Sequence, residues 1–142
     1  MTPEKKKRIS QIVGTAVAVI VMVVLQQTVF KAPGFDKVLM QTAQEMNKNC
    51  PFMVDAETRL DNAVAAPGKR LEYNYTLINT DKDSIDIESF TDYLQPILVN
   101  NVKTHPDMAS FRDNHIIMDY NYKDRNGIFI TKISITPELY QE

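Results

Sequence analysis

Lys5, Lys6, Lys7 and Arg8 run into an apolar stretch over residues 12–25, and no charged residue occurs anywhere in residues 9–30. At about 1.5 Å of rise per residue a helix over that run reaches about 33 Å, slightly more than a bilayer's hydrocarbon core. The pattern predicts a transmembrane anchor over residues 9–30. The basic residues before it predict a cytoplasmic tail, residues 1–8, with the rest of the chain outside the cytoplasmic membrane. A cleaved signal peptide is the rival reading. It needs small residues at the minus-three and minus-one positions, and Leu25, Gln26, Gln27, Thr28, Val29, Phe30 and Lys31 offer no such pair.

Charge divides the chain in the same way. Residues 1–8 carry four basic groups against Glu4, whereas the remainder carries twelve basic and seventeen acidic groups. An acidic domain whose longest basic run is Lys69-Arg70 lacks the basic face that phosphate binding requires, so nucleic acid is not expected as a partner. Lys31, Ala32, Pro33 and Gly34 form a linker, leaving residues 35–142 for one domain, large enough to fold on packing alone. A single cysteine, Cys50, cannot form an internal disulfide.

Within the domain, Val38, Leu39, Thr42 and Met46 recur at helical spacing and predict a helix over about 36–48, ending before Pro51. Val54, Ala56, Thr58 and Leu60 alternate with Asp55, Glu57, Arg59 and Asp61, the pattern of a half-buried strand. After the turn residues Pro67 and Gly68, Leu71, Tyr73, Tyr75 and Leu77 alternate again, completing a first hairpin. Phe90, Leu94, Ile97, Leu98 and Val102 mark a second helix, with Ser89 and Asp92 spaced as a capping box. Pro96 inside it predicts a kink or a break.

The final hairpin is the most constrained. Asn126-Gly127 suits a type I′ two-residue loop with Arg125 opposite Ile128. Counting outward sets Tyr122 against Thr131, Tyr120 against Ile133 and Met118 against Ile135, with Asn121 facing Lys132 and Asp119 facing Ser134. The predicted fold class is therefore α+β: an N-terminal transmembrane helix, then a small helix-hairpin-helix-hairpin domain with one antiparallel sheet, both helices on one face and the other face polar.

Few residues suggest chemistry. Cys50 is a possible reactive thiol, although it continues the apolar stripe of a helix near its negative end, where a buried thiol is the plainer reading. His105 and His115 are the only histidines and lack metal or triad spacing. Asp81, Asp83, Asp86 and Glu88 fail the calcium-loop pattern and suit helix capping instead. Tyr73, Tyr75, Tyr120 and Tyr122 can form an aromatic shelf, but they fall on the apolar side of their strands, where core packing is expected. Neither a catalytic set nor a metal or cofactor site is predicted.

Residues 47–61, Asn-Lys-Asn-Cys-Pro-Phe-Met-Val-Asp-Ala-Glu-Thr-Arg-Leu-Asp, followed by Tyr73-Asn-Tyr-Thr-Leu77, resemble a pattern in small bacterial membrane-anchored proteins with no established activity, where methionine stands in place of Phe52. The resemblance implies a bacterial envelope protein and carries over no catalytic residue. With the negatives above, it leads to the expectation of a membrane-anchored, extracytoplasmic binding or assembly module with a protein partner, its binding face formed by Asp55, Glu57, Arg59 and Asp61. The alternatives are a thiol-dependent enzyme or redox protein using Cys50, and a self-associating structural membrane subunit.

Overall fold

The computed structural model describes residues 35–141. The anchor expected over residues 9–30 lies outside them. Among the described residues no helix is long and apolar enough to cross a membrane. Helix α1 (Phe35–Asn47) leads into strands β1 (Phe52–Met53), β2 (Thr58–Ala66) and β3 (Arg70–Leu77). Helix α2 (Ile87–Thr104) and the short α3 (Ala109–Asp113) follow, then β4 (Ile117–Lys123), β5 (Phe129–Ile135) and a last turn of helix, α4 (Pro137–Tyr140).

The five strands lie in sequence order in one sheet, but the expected single antiparallel sheet is overturned, because β3 and β4 pair in parallel. The cause is the connection. Helix α2 has 18 residues, about 27 Å of rise, and carries the chain back along the sheet so that β4 sets out in the same direction as β3. Side-chain alternation reports which face a residue occupies and is blind to the direction of the neighbouring strand.

Leu39, Ala43 and Met46 of α1 and Phe90, Leu94, Leu98 and Val102 of α2 share one core with Leu60, Ala63, Leu71, Met118, Ile133 and Ile135 of the sheet. Both helices therefore cover the same sheet face, α1 over β2 and α2 over β5. At the centre of that core stand the four tyrosines, all fully buried. Tyr73 stacks on Tyr120 at 5.1 Å and Tyr75 on Tyr122 at 5.2 Å, with Phe90 edge-on to Tyr122 at 5.3 Å. They are a core ladder and present no shelf to solvent.

Three local devices complete the fold. The Asn47 carboxamide, at the end of α1, accepts from the Ala63 N–H at 2.7 Å and donates to the Ala63 carbonyl at 2.8 Å, doing for β2 what the two-residue β1 is too short to do. Asp86, rather than Ser89, caps α2 by accepting from the Ser89 N–H at 3.1 Å. At its other end the Arg112 guanidinium donates to the carbonyls of Val102 and His105, at 2.8 and 2.7 Å. Pro96 does not break α2 into two: it lies on the exposed side, and the buried stripe of Phe90, Leu94, Leu98 and Val102 holds the helix together on the other.

The last hairpin keeps the register read from its alternation, pairing Met118 with Ile135, Tyr120 with Ile133 and Tyr122 with Thr131. Its loop differs from the expected two-residue turn. The register shifts after Tyr122, Lys123 pairs with Phe129, and only Gly127 has a positive φ, of 80°. Buried Asp124 organises this longer loop by accepting from the N–H groups of Lys82, Asn126 and Ile128 at 2.8–2.9 Å. Burial alone would raise its carboxyl, but those N–H groups outweigh it and hold the pKa below the usual carboxylate value. The resulting stabilisation is present above about pH 4, the unfolded-state value, and is lost as pH falls through the lower folded one.

Candidate functional site

With both helices on one face, the described residues leave the other face of the sheet open. The strand registers arrange it as rows running across the strands. Arg59, Thr76, Lys123 and Phe129 form the first row, Asn62, Asn74, Asn121 and Lys132 the second, and Val64, Glu72, Asp119 and Ser134 the third.

A β-bulge builds the first row. The register shifts between Leu60 and Asn62, so Asp61 is an extra residue that lets Leu60 and Ala63 both enter the core. The Arg59 guanidinium donates to the Asp61 carboxylate at 2.6 Å, the Thr76 hydroxyl donates to its other oxygen, and the Lys123 ammonium stands at 3.6 Å. In the third row Asp119 is fully buried, its carboxylate bound by Arg70 at 2.6 Å and by the Ser134 hydroxyl. Lys132 lies 3.6 Å from both Asp119 and Glu72. Between these two charged rows the amides are chained: Asn121 donates to Asn74 at 3.0 Å and Asn74 to Asn62 at 2.7 Å. A shallow recess of about 510 Å³ opens over the amides, bordered by Lys123, Gly127 and Phe129.

The four acidic and basic residues expected to share one strand face are divided. Arg59 and Asp61 lie together on the open face, joined by Lys123 and Thr76, which sequence reasoning missed. Asp55 and Glu57 fall in the turn between β1 and β2, because the chain bends at residues 54–57 instead of running straight. Asp55 serves that turn, accepting from the N–H groups of Glu57 and Thr58 at 2.6 Å each. Burial raises its pKa, partly offset by those bonds. Asn74 and Asn121 fall on the polar side of their strands by alternation, whereas Asn62 and Phe129 continue the apolar side and reach the open face only through the register shifts at Asp61 and after Tyr122. What joins Asn74 to Asn121 is the parallel pairing of β3 and β4.

Cys50 is half-buried, donates to the Met46 carbonyl at 3.3 Å, and precedes a cis peptide bond to Pro51. Burial, with the negative charge of Asp61 added, pushes the thiol above its ordinary pKa. We expect the folded chain to be alkylated by iodoacetamide more slowly than an unfolded control at pH 7.5, with the difference vanishing in denaturant. Equal rates would show a thiolate the structure does not support. His105 caps the turn after α2, its Nδ1 accepting from the Asp107 N–H at 3.2 Å, and His115 sits in a turn with φ of 57°. Asp81, from the acidic loop, pairs with Arg125 at 2.7 Å. Among the described residues no cluster of three or more His, Cys, Asp or Glu side chains could hold a metal ion.

The same fold occurs in solved structures of low sequence identity. A Pseudomonas aeruginosa protein classed as secreted superposes with a TM-score of 0.62 at 11% identity, over 76% of this chain and 98% of that one. The pilotin EpsS of the Vibrio vulnificus type 2 secretion system gives 0.59 at 9%, over 75% and 92%. The type II secretion system pilotin AspS of Vibrio cholerae gives 0.54 at 14%, over 73% and 90%. At such identities the likeness shows the fold alone. No curated protein matches the sequence. A family model does, over residues 34–128, and by that match the chain belongs to the family described as a domain of unknown function, DUF8479.

Proposed function

We propose that this domain is an extracytoplasmic binding and assembly module of the bacterial envelope, which engages a protein partner through the open face of its sheet. The observation that carries the reading is the open face itself. Among the described residues helices cover only the other side, and the uncovered side presents ordered, cross-linked rows of polar groups with the exposed ring of Phe129 among them. The fold shared with two secretion-system pilotins supports a role in envelope assembly by analogy. The basic tail and apolar run at the N-terminus support a location outside the cytoplasmic membrane, and the resemblance of residues 47–61 supports a bacterial envelope origin.

The test uses the full-length chain, tagged, in its own cells, with a photo-crosslinking residue at Asn121 or Phe129 on the open face, or at exposed Asp92 on α2 as a control. Adducts of defined mass from the first two positions and none from Asp92 are the expected result. Adducts from Asp92 alone, or from all three positions equally, would remove the open face from consideration. Adducts of twice the chain mass would replace the partner with a second copy.

A further inference from the structure

We propose that the recess on the open face binds a neutral oligosaccharide. This rests on reading that face as the binding surface and gives it a ligand class in addition to a protein partner. The recess, of about 510 Å³, falls within the range of small-molecule sites. Its floor is the chain of carboxamides in which Asn121 donates to Asn74 and Asn74 to Asn62. A carboxamide has two N–H groups and two acceptor lone pairs, so this chain retains donors along its length and the whole carbonyl of Asn121 as acceptor. Sugar hydroxyls both donate and accept, which matches a row of mixed donors and acceptors.

Charge favours a neutral ligand. Asp61 is engaged by Arg59 and Lys123, and Asp119 by Arg70 and Lys132, so the charges bordering the amide row are mutually paired. A phosphate or carboxylate would have to compete with Asp61 for Lys123, and an ammonium with Lys123 for Asp61. At the edge of the recess the Phe129 side chain is 56% exposed, a large apolar ring on an otherwise polar face. Its electron-rich face suits the polarised C–H bonds on one side of a pyranose. An extended peptide fits less well, because its N–H and C=O groups lie in the plane of a strand and pair with sheet edges.

The experiment is a heteronuclear NMR titration of the full-length chain, in a detergent without a sugar headgroup, with an N-acetylglucosamine trimer, with maltotriose, and with inorganic phosphate. Saturable shifts are expected for the side-chain amides of Asn62, Asn74 and Asn121 with at least one of the sugars, weakened about tenfold or more in Asn74→Ala and in Phe129→Ala. Phe129 is exposed, so its variant tests the site even where Asn74→Ala disturbs the sheet, and thermal unfolding verifies both. No saturable shift with either sugar up to about 10 mM would overturn the proposal. So would sugar shifts unaltered in Phe129→Ala, or phosphate binding at the recess more tightly than both sugars. Sugar binding without open-face protein adducts would remove the protein partner alone, and adducts without sugar binding would remove the saccharide alone.

Discussion

Arg70→Ala should lower the stability of the domain by about 3 kcal/mol. Asp119 is fully buried on the open sheet face, and the Arg70 guanidinium at 2.6 Å is its closest cation. Removing Arg70 strands a buried carboxylate, a loss that ranges over about 3–5 kcal/mol; the Ser134 hydroxyl and Lys132 at 3.6 Å place this case at the lower end. Replacing both partners with apolar residues of similar volume, Arg70→Met with Asp119→Leu, should restore most of the loss, because the penalty belongs to the unpaired charge and not to the pair. Urea unfolding at neutral pH, with an unchanged denaturant slope, measures both. A loss under about 1 kcal/mol in Arg70→Ala would show that water reaches Asp119 and that the third row is a surface ion pair. The row also supports the recess, so Arg70→Ala should weaken any open-face ligand without the side chain touching it.

Pro96→Ala should stabilise the domain, by about 1–3 kcal/mol. An interior proline costs a helix about 3 kcal/mol relative to alanine, through the lost hydrogen bond and the clash of its ring with the preceding turn. Pro96 lies well inside α2 and is exposed, so alanine restores the bond and removes little packing. For a domain of this size each kcal/mol moves the unfolding midpoint by about 4–8 °C, well within the resolution of a thermal melt. A lower midpoint would mean that α2 requires the local geometry the proline imposes, and would make it a position held for shape.

The two regions differ in how far they were legible. Helix α2 was readable from Phe90, Leu94, Leu98 and Val102 alone, since a buried stripe at 3.6-residue spacing outweighs one unfavourable proline on the opposite side. The open face was readable only in part. Its polarity follows from alternation, but the grouping of Arg59 and Asp61 with Thr76 and Lys123 depends on a bulge that no periodicity announces. The turn at residues 54–57 hid in the same way, because Val54, Ala56, Thr58 and Leu60 alternate as a strand would even though the chain bends among them.

By itself the sequence determined the inward and outward sides of α1, α2, β3 and β4 and the register of β4 against β5 from Met118 to Tyr122. Both follow from local pattern, because slipping an amphipathic strand by one residue turns its apolar set to water. Only the tertiary structure decided that β3 and β4 run parallel, and with that which residues meet: Tyr73 with Tyr120 in the core, Asn74 with Asn121 on the open face. Strand direction and partner are set by the path of the intervening helix, a long-range matter that leaves no periodicity in either strand.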